Sequence, residues 1–424
     1  MIICYDIIGG DNMLVSRTER HIIKSSDSYF SLLLSFCCQS KNLYNHANYL
    51  VRQEFTQNNK LMEYKNLDKI LKADEKYPDY RNMPTAQSAQ QILRLLDKNW
   101  KAFMVSMKDW SKHKEKYSGR PKLPNYLKKN GHYVLILTNQ NCKLKDGKIH
   151  FPKVFQGFSI TPKFTDKENF VSFQQVRLIP HKNRIAAEVV YNIDVPELKE
   201  DNQRYIGIDI GVSNLVTVCN NISNKAFIIN GKPLKSINQY YNKKISHYRE
   251  VTKRMNKIDY SKRMDRLTEK RNSKIDDYLH KASRYIINHC VKDDIHTIVI
   301  GKNKEWKQNS RLSKKVNQNF VQIPFARLIE MIQYKAEEKG IAVILTEESY
   351  TSGTSFIDGE EPVKENYNKA RRVHRGLFVS NGGIKINADL NGAYQILKKA
   401  VPIKWDRGCV LHPFVVNMTK PVEQ

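Results

Sequence analysis

The stretch Arg204–Asn220, RYIGIDIGVSNLVTVCN, sets one carboxylate in the middle of an otherwise apolar strand. It reads as a strand, a tight turn and a second strand. Ile206, Ile208 and Ile210 fall on one face at period two, and Gly207, Asp209 and Gly211 on the other. An unpaired carboxylate is costly to bury among such neighbours. Glycine on either side leaves room for something to come close. Two readings fit: a metal ion or phosphate approaches Asp209, or Asp209 is a strand-end carboxylate satisfied by backbone donors.

The order of elements after this stretch narrows the choice. Three strands, near 206–212, 215–220 and 225–230, precede a long helical region over 235–290 and a strand at Thr297–Ile300. A helix opens at Pro324 and stops at Gly340. The strand Ile341–Thr346, an irregular insert over 350–386 and the helix ADLNGAYQILKKA complete the series. The order βββαβαβα is that of the RNase H-like nuclease and integrase fold. That fold supports chemistry only where acids stand at the ends of its central strands. Glu347 and Glu348 end the strand AVILTEE, and Asp389 lies in the first turn after Asn387, a fair N-cap. Asp389, Gly392, Ala393, Ile396 and Leu397 share one helix face. Taken singly, an acid in a first turn complements the helix dipole. Taken together, the three positions suit hard Mg²⁺ or Mn²⁺ ions. Two such ions about 4 Å apart can activate water and stabilise the leaving oxygen in phosphodiester hydrolysis. Residues 235–274 carry 13 Lys and Arg against 4 acids. A charge run is usually a solvated face, but one this one-sided beside such a site reads as a wall for a phosphate backbone.

Upstream, residues 1–13 read as an N-terminal extension without the basic head of a secretory signal. A short strand lies near 14–24, and a helix begins near Ser28 or Ser31 and runs to about Phe55. Its polar side carries Lys41, Asn45, Asn48 and Arg52, with Tyr44 and Tyr49 interleaved: a solvated face or a nucleic-acid groove. A short helix is expected at 66–74. Thr85 caps a long helix with Ile92, Leu95, Leu96, Asn99 and Phe103 along one side. The basic, proline-punctuated segment 119–132 reads as a linker. Strand signals over 133–195, with a hairpin turn at Asp146-Gly147, suggest a small antiparallel barrel closed by the early strand. The net charge of +28, from 71 Lys and Arg against 43 Asp and Glu, calls for a polyanionic partner. The 22 tyrosines suit stacking on bases as well as packing. No apolar run is long enough to span a bilayer. Seven cysteines without a CxxC argue for reduced thiols in a cytoplasmic protein and against a zinc ribbon.

In chain order, the segments SRTERHII, SKNLYNHANYLVRQEF, LLDKNWKAF, GRPKLPNY, IGIDIGVSNLVTV, IVIGKNKEWKQ, FVQIPFARLIEMIQYKAEEKGI, EESYTS, RGLF and NADLNGAYQIL resemble the TnpB (OrfB) proteins of bacterial insertion sequences. These are compact relatives of type V CRISPR effector nucleases. The resemblance implies a multidomain α+β chain. A helical recognition lobe (31–118) would be inserted into a small wedge-like β-barrel domain (14–30 and 119–200). An RNase H-like (RuvC) α/β nuclease domain (201–349 and 387–424) would follow, interrupted by the insert 350–386 at the zinc-ribbon position. It implies an RNA-guided DNA endonuclease that takes a guide RNA from the transposon end and cuts double-stranded target DNA. Cutting would fall beside a short flanking motif, with Mg²⁺ or Mn²⁺ as cofactor, in a bacterial cytoplasm and at the nucleoid. The metal ligands and catalytic residues implied are Asp209, Glu348 and Asp389. Nucleic-acid contacts are expected from Tyr44, Asn48, Arg52, Lys253, Arg254, Arg263, Arg371, Arg372 and Arg375.

Two departures stand out. Most relatives carry a glutamate directly after the strand that here reads TIVI, where this chain has Gly301. Glu305 lies beyond the strand end and is a poor replacement. Glu348 can supply the ligand from the neighbouring strand, because alternation from Ile344 puts Thr346 and Glu348 on one face; Glu347 is the reserve. The four zinc-ribbon cysteines are also missing, so no zinc is expected. The insert is then a basic flap using Arg371, Arg372, His374 and Arg375 on nucleic acid, or a disordered remnant. The competing function is a nuclease-inactive, RNA-guided DNA-binding repressor. A self-sufficient transposase of the same fold ranks third.

Overall fold

The chain folds as two units, built from residues 13–194 and 195–424. The structure, a computed structural model, describes residues 12–222, 225–256, 260–302, 322–374, 376–403 and 411–419.

The first unit starts with strand β1 (Asn12–Lys24) and three helices, α1 (Phe30–Asn58), α2 (Tyr64–Ala73) and α3 (Ala86–Lys112). Thr85 opens α3 with a reciprocal cap. Its hydroxyl accepts from the Ser88 N–H at 3.0 Å, and the Ser88 hydroxyl accepts from the Thr85 N–H at 3.2 Å. The buried side of α3 is Ile92, Leu93, Leu96 and Trp100. Asn99 and Phe103, expected on that side, are exposed and half-buried, because the Trp100 indole takes the core.

The polar side of α1 is neither solvated nor a groove. Lys41 Nζ donates to Lys129 O at 2.8 Å. Asn45 donates to Leu127 O and accepts from Leu127 N. Asn48 and Arg52 both donate to Pro124 O, at 3.1 and 2.5 Å. A helix stripe at i, i+4, i+7 and i+11 thus satisfies the carbonyls of an extended segment that has no strand partner. The expected linker is strapped down.

Six strands follow: β2 (Leu135–Thr138), β3 (Lys143–Lys145), β4 (Lys148–His150), β5 (Ser159–Ile160), β6 (Phe170–Pro180) and β7 (Arg184–Pro196). Asp146 and Gly147 both take positive φ (49° and 69°), as a two-residue hairpin turn requires. The early strand does join the sheet, in the order β1-β7-β6-β2, while β3-β4-β5 form a separate sheet. Among the described residues the expected barrel is therefore open. The strands between β2 and β6 are two or three residues long, too short to carry hydrogen bonds around a ring.

The second unit holds β8 (Tyr205–Ile210), β9 (Asn214–Asn220), β10 (Phe227–Asn230), α4 (Lys232–Asn256), α5 (Lys262–Lys292) and β11 (Thr297–Gly301). Then come α6 (Phe325–Glu337), β12 (Ala342–Thr346), β13 (Leu377–Val379), β14 (Lys385–Asn387), α7 (Ala388–Ala400) and β15 (Phe414–Val416). The helical region expected as one element is two, α5 opening on a Ser261 cap. The main sheet runs β12-β11-β8-β9-β10-β15. Its centre is antiparallel at β8–β9, and β11 lies parallel to both β8 and β12. The outer strand β15 has no local signal in the sequence and pairs parallel with β10.

Period-two alternation sorts the two faces of this sheet. Ile206, Ile208, Ile210, Val216 and Val218 pack with α5 and α6 in one core. Tyr205, Cys219 and Val299 pack with α7 and the insert in another. The chain is a mixed α/β protein of more than one domain.

Candidate active site

Helix α7 builds the site by crossing the sheet. Its N-cap, Asn387, accepts from the backbone N–H of Asp389 and of Leu390, both at 3.1 Å. One turn on, Gly392 meets Asp209: a methyl there would stand 3.0 Å from Asp209 Oδ2. Next, Ala393 and Leu397 cover Gly207, where an added Cβ would be 2.6 Å from Ala393 O and 2.8 Å from Leu397 Cβ. Farther along, Ile396 covers Gly301. Glycine at 207 is required by this close approach, and at 392 a side chain would press on the Asp209 carboxylate. The polar residues of α7 hold the insert. Asn391 accepts from Phe356 N and donates to Thr354 O, Gln395 donates to Glu360 O, and Lys398 donates to Gly359 O.

Asp209 keeps some solvent-accessible surface, yet it is packed deep among protein atoms. Burial pushes its carboxyl well above the usual range, and the negative charges of Glu348 and then Asp389 push it the same way; Arg372 opposes them. Asp389 is engaged on both oxygens. Arg372 Nη2 donates to Oδ1 at 2.6 Å, and Asn214 Nδ2 donates to Oδ2 at 2.7 Å. Asn214 carries no sequence signal beyond its place after a turn.

Glu348 is the better placed of the two neighbouring glutamates. Register runs Ile208↔Ile300 and Gly301↔Thr346, so Gly301 is the next residue beside Asp209. Glu348 Oε2 lies 3.1 Å from where a Cβ on Gly301 would be, whereas Glu347 is exposed. The carboxylate of residue 348 thus occupies the space that a side chain of residue 301 would enter. Glu305 lies outside the described residues.

The expected nucleic-acid contacts divide. Tyr44 and Asn48 are buried: the Tyr44 hydroxyl accepts from Asn99, and Asn48 accepts from the Trp100 indole while bonding Pro124. Arg52 bonds Pro124 and lies 4.6 Å over the Tyr126 ring. All three are engaged within the chain, Asn48 and Arg52 by the segment 119–132 and Tyr44 by Asn99 of α3. Lys253 and Arg263 are exposed, Arg263 lying 4.7 Å over the Tyr248 ring; Arg254 pairs with Glu250 one turn earlier. Arg371 is the hub of an ordered insert. It grips both oxygens of Glu360 at 2.6 and 2.8 Å and donates to Gly353 O and Asn366 O. Arg372 turns to Asp389 instead, and Arg375 lies outside the described residues. The insert is neither a free basic flap nor a disordered remnant, because Phe356 and Phe378 bury in the α7 core.

The donor chemistry of Asp209, Glu348 and Asp389 fits a hard divalent cation: three carboxylates, with one pushed up by the charge of the other two. The arrangement with Arg372 on Asp389 is not itself a cage. Among the described residues no three His, Cys, Asp or Glu side chains converge closely enough to hold a metal ion. Asp389 accepts from Arg372 on one oxygen and from Asn214 on the other, so a cation here would share that carboxylate with both.

Comparison with known proteins follows the chain order. The OrfB_IS605 model, a probable transposase, matches residues 188–307, and the model of the Cas12f1-like TNB domain matches 325–396. The TnpB-like protein ORF457 of Acidianus two-tailed virus is 24% identical over 399 residues, covering 86% of this chain and 82% of its own. The CRISPR-associated endodeoxyribonuclease Cas12f2 of a Micrarchaeota archaeon is 26% identical over 273 residues, 62% of this chain; the chain spans about half of that protein, 47% of its length. A solved Cas12f1–sgRNA–target DNA complex covers 91% of this chain and 100% of that chain at 15% identity and a TM-score of 0.37, too low to argue from. On the two consecutive family matches and these sequence relatives, the chain is similar to the TnpB (OrfB) proteins and to their type V CRISPR relatives.

Proposed function

We propose that this protein is an RNA-guided DNA endonuclease of a transposable element, cutting target DNA beside a short flanking motif by metal-dependent phosphodiester hydrolysis. The observation that carries the proposal is the Glu348 carboxylate in the space beside Gly301, next in register to Asp209 and charge-coupled to it. A chain that had lost its chemistry has no need to refill that space with an acid. Two parallel strands, β11 and β12, set beside the antiparallel β8–β9–β10 ribbon support an RNase H-like (RuvC) reading of the second unit. The names of the relatives support nuclease action on DNA.

Asp209, Glu348 and Asp389 would hold Mg²⁺ or Mn²⁺, which supplies an activated water and charge relief for the leaving oxygen. The chain's own residues place the acids. Gly392 lets Asp209 approach helix α7, and Asn387 fixes the first turn that carries Asp389. Arg372 and Asn214 each donate to one oxygen of Asp389 and orient it. Lys253, Arg254 and Arg263 on α4 and α5 are positioned for phosphates of a guide–target duplex. The guide would come from the transposon end, and the helices and open sheets of the first unit would form the recognition lobe and wedge that read the flanking motif on double-stranded DNA. Action is assigned to the cytoplasm at the nucleoid, with no zinc in the insert.

The repressor reading is favoured by Gly301 and by an Asp389 with both oxygens engaged. One experiment decides. The protein, co-expressed with the RNA encoded beyond its gene, is given Mg²⁺ and a plasmid library with randomised bases beside the target. Asp209→Ala and Glu348→Ala are run in parallel. Cutting by wild type alone is expected, and the library reads the motif. Binding without cutting would establish the repressor, and cutting by Glu348→Ala would remove Glu348 from the site.

A further inference from the structure

Glu348 does not sit on a strand: β12 ends at Thr346, and the carboxylate lies two residues beyond, where a chain end has no ladder to hold it. Yet its backbone is held. Lys399 Nζ, from the last turn of α7, donates to Glu347 O at 3.1 Å and Ser349 O at 2.7 Å, and reaches the Ser349 hydroxyl at 3.3 Å. These are the carbonyls on either side of Glu348. The Glu348 carbonyl is taken from the other direction by the Thr351 hydroxyl at 2.8 Å and the Thr351 N–H at 3.4 Å. Three successive carbonyls are thus fixed, and an ammonium is suited to this, since it offers three donors from one point.

We propose that Lys399 is the positioning residue of the shifted glutamate: its ammonium clamps the backbone on both sides of Glu348 and so sets that carboxylate against Gly301. The same helix carries Asp389 at its start and Ile396 over Gly301, so α7 aligns the acid from the first strand with the acid beyond the last one. A glutamate carried on a strand, as at position 301, would be held by the ladder and would need no clamp. Lys399 is what moving the acid to position 348 requires. The inference rests on Glu348 serving the site as proposed above.

The test uses the full chain with its guide RNA and compares Lys399→Met, Lys399→Arg and Glu348→Gln. In the metal-free protein, Lys399→Met is expected to speed hydrogen exchange over 347–351 while the rest of the second unit exchanges as in wild type. In cleavage it is expected to raise the Mg²⁺ concentration for half-maximal rate and lower the rate at saturation by ~10–100-fold. Target binding should be unchanged, and Lys399→Arg should recover most of both. Cleavage and Mg²⁺ dependence like wild type in Lys399→Met, with Glu348→Gln inactive, would overturn the inference and leave Glu348 in place. A loss of rate with unchanged Mg²⁺ dependence and exchange raised throughout the unit would make Lys399 merely structural, which also overturns it. Normal cutting by Glu348→Gln would sink the catalytic reading of Glu348 itself, and the positioning role with it.

Discussion

Restoring a side chain at position 301 tests whether the acid was displaced by packing. A Cβ on Gly301 would lie 2.5 Å from Ile396 Cδ1 and 3.1 Å from both Ile396 Cγ1 and Glu348 Oε2. Carbon atoms in contact normally stand about 3.5–4.0 Å apart, so the overlap with Ile396 is roughly 1 Å. Ile396 is fully buried and branched at Cβ, and it has little freedom to swing away. Overpacking of this kind costs about 1–3 kcal/mol. Gly301→Ala should therefore lower the free energy of unfolding of the second unit by about 1–3 kcal/mol. Ile396→Ala alone leaves a cavity and should cost about 2–5 kcal/mol. The double variant should cost less than the sum, because the new methyl enters the vacated space; the coupling expected for residues in contact is about 0.5–3 kcal/mol. Denaturant unfolding of the four proteins closes this cycle. A second arm asks for function: Gly301→Glu should fail to rescue Glu348→Gln with Ile396 present and should rescue it in part with Ile396→Ala. Additivity of the two alanine changes to within about 0.5 kcal/mol, or rescue with Ile396 intact, would refute the claim that Ile396 closes position 301.

Two further outcomes follow from charge and burial. Burial, Glu348 and Asp389 raise the Asp209 carboxyl well above its ordinary value of 3.8. The folded state therefore holds that proton more tightly than the unfolded chain. No penalty exists below the ordinary range, and the penalty grows as pH rises through the raised pKa. In chelator, Asp209→Asn should melt higher than wild type at neutral pH and converge with it near pH 4, read from melts across a pH series; a lower neutral-pH melting point for the Asn variant would contradict the charge assignment. Asn48→Ala should loosen the strap under α1, because it orphans the buried Trp100 indole N–H, at about 1–3 kcal/mol, and leaves Pro124 O to Arg52 alone. Limited proteolysis should then cut within 119–132 earlier than in wild type, and an unchanged cleavage pattern would refute the strap.

What could be read from the sequence was local. The alternation around Asp209, the Thr85 and Asn387 caps and the Asp146-Gly147 hairpin depend on neighbours within a few residues, and each formed where the pattern put it. Alternation from Ile344 favoured Glu348 over Glu347, and Glu348 is the one whose carboxylate lies beside Gly301, although β12 ends at Thr346. The misses are partners distant in sequence. Lys41, Asn45, Asn48 and Arg52 look like a solvated stripe until a segment 72 to 88 residues away presents bare carbonyls to them. Arg371 and Arg372 look like one basic cluster, yet where the short 3-10 turn Lys369–Arg371 ends they point apart, one to Glu360 and the other to Asp389. Charge alone does not say whether a basic residue meets a phosphate or a carboxylate of its own chain.

That distinction bears on how the site can hold three acids at all. Asp209, Glu348 and Asp389 repel one another, and the cost falls on the most deeply packed of them, Asp209. Arg372 offsets part of it from the insert, and the insert is held in turn by Arg371, Asn391 and Gln395 rather than by sulfur ligands. The insert therefore acts on the acids directly, through a guanidinium 2.6 Å from Asp389, as well as covering the sheet. A divalent cation bound here would share Asp389 with that guanidinium and relieve the repulsion that raises the Asp209 carboxyl. Arg372 on Asp389, with its charge also felt at Asp209, makes the insert part of the site's charge balance.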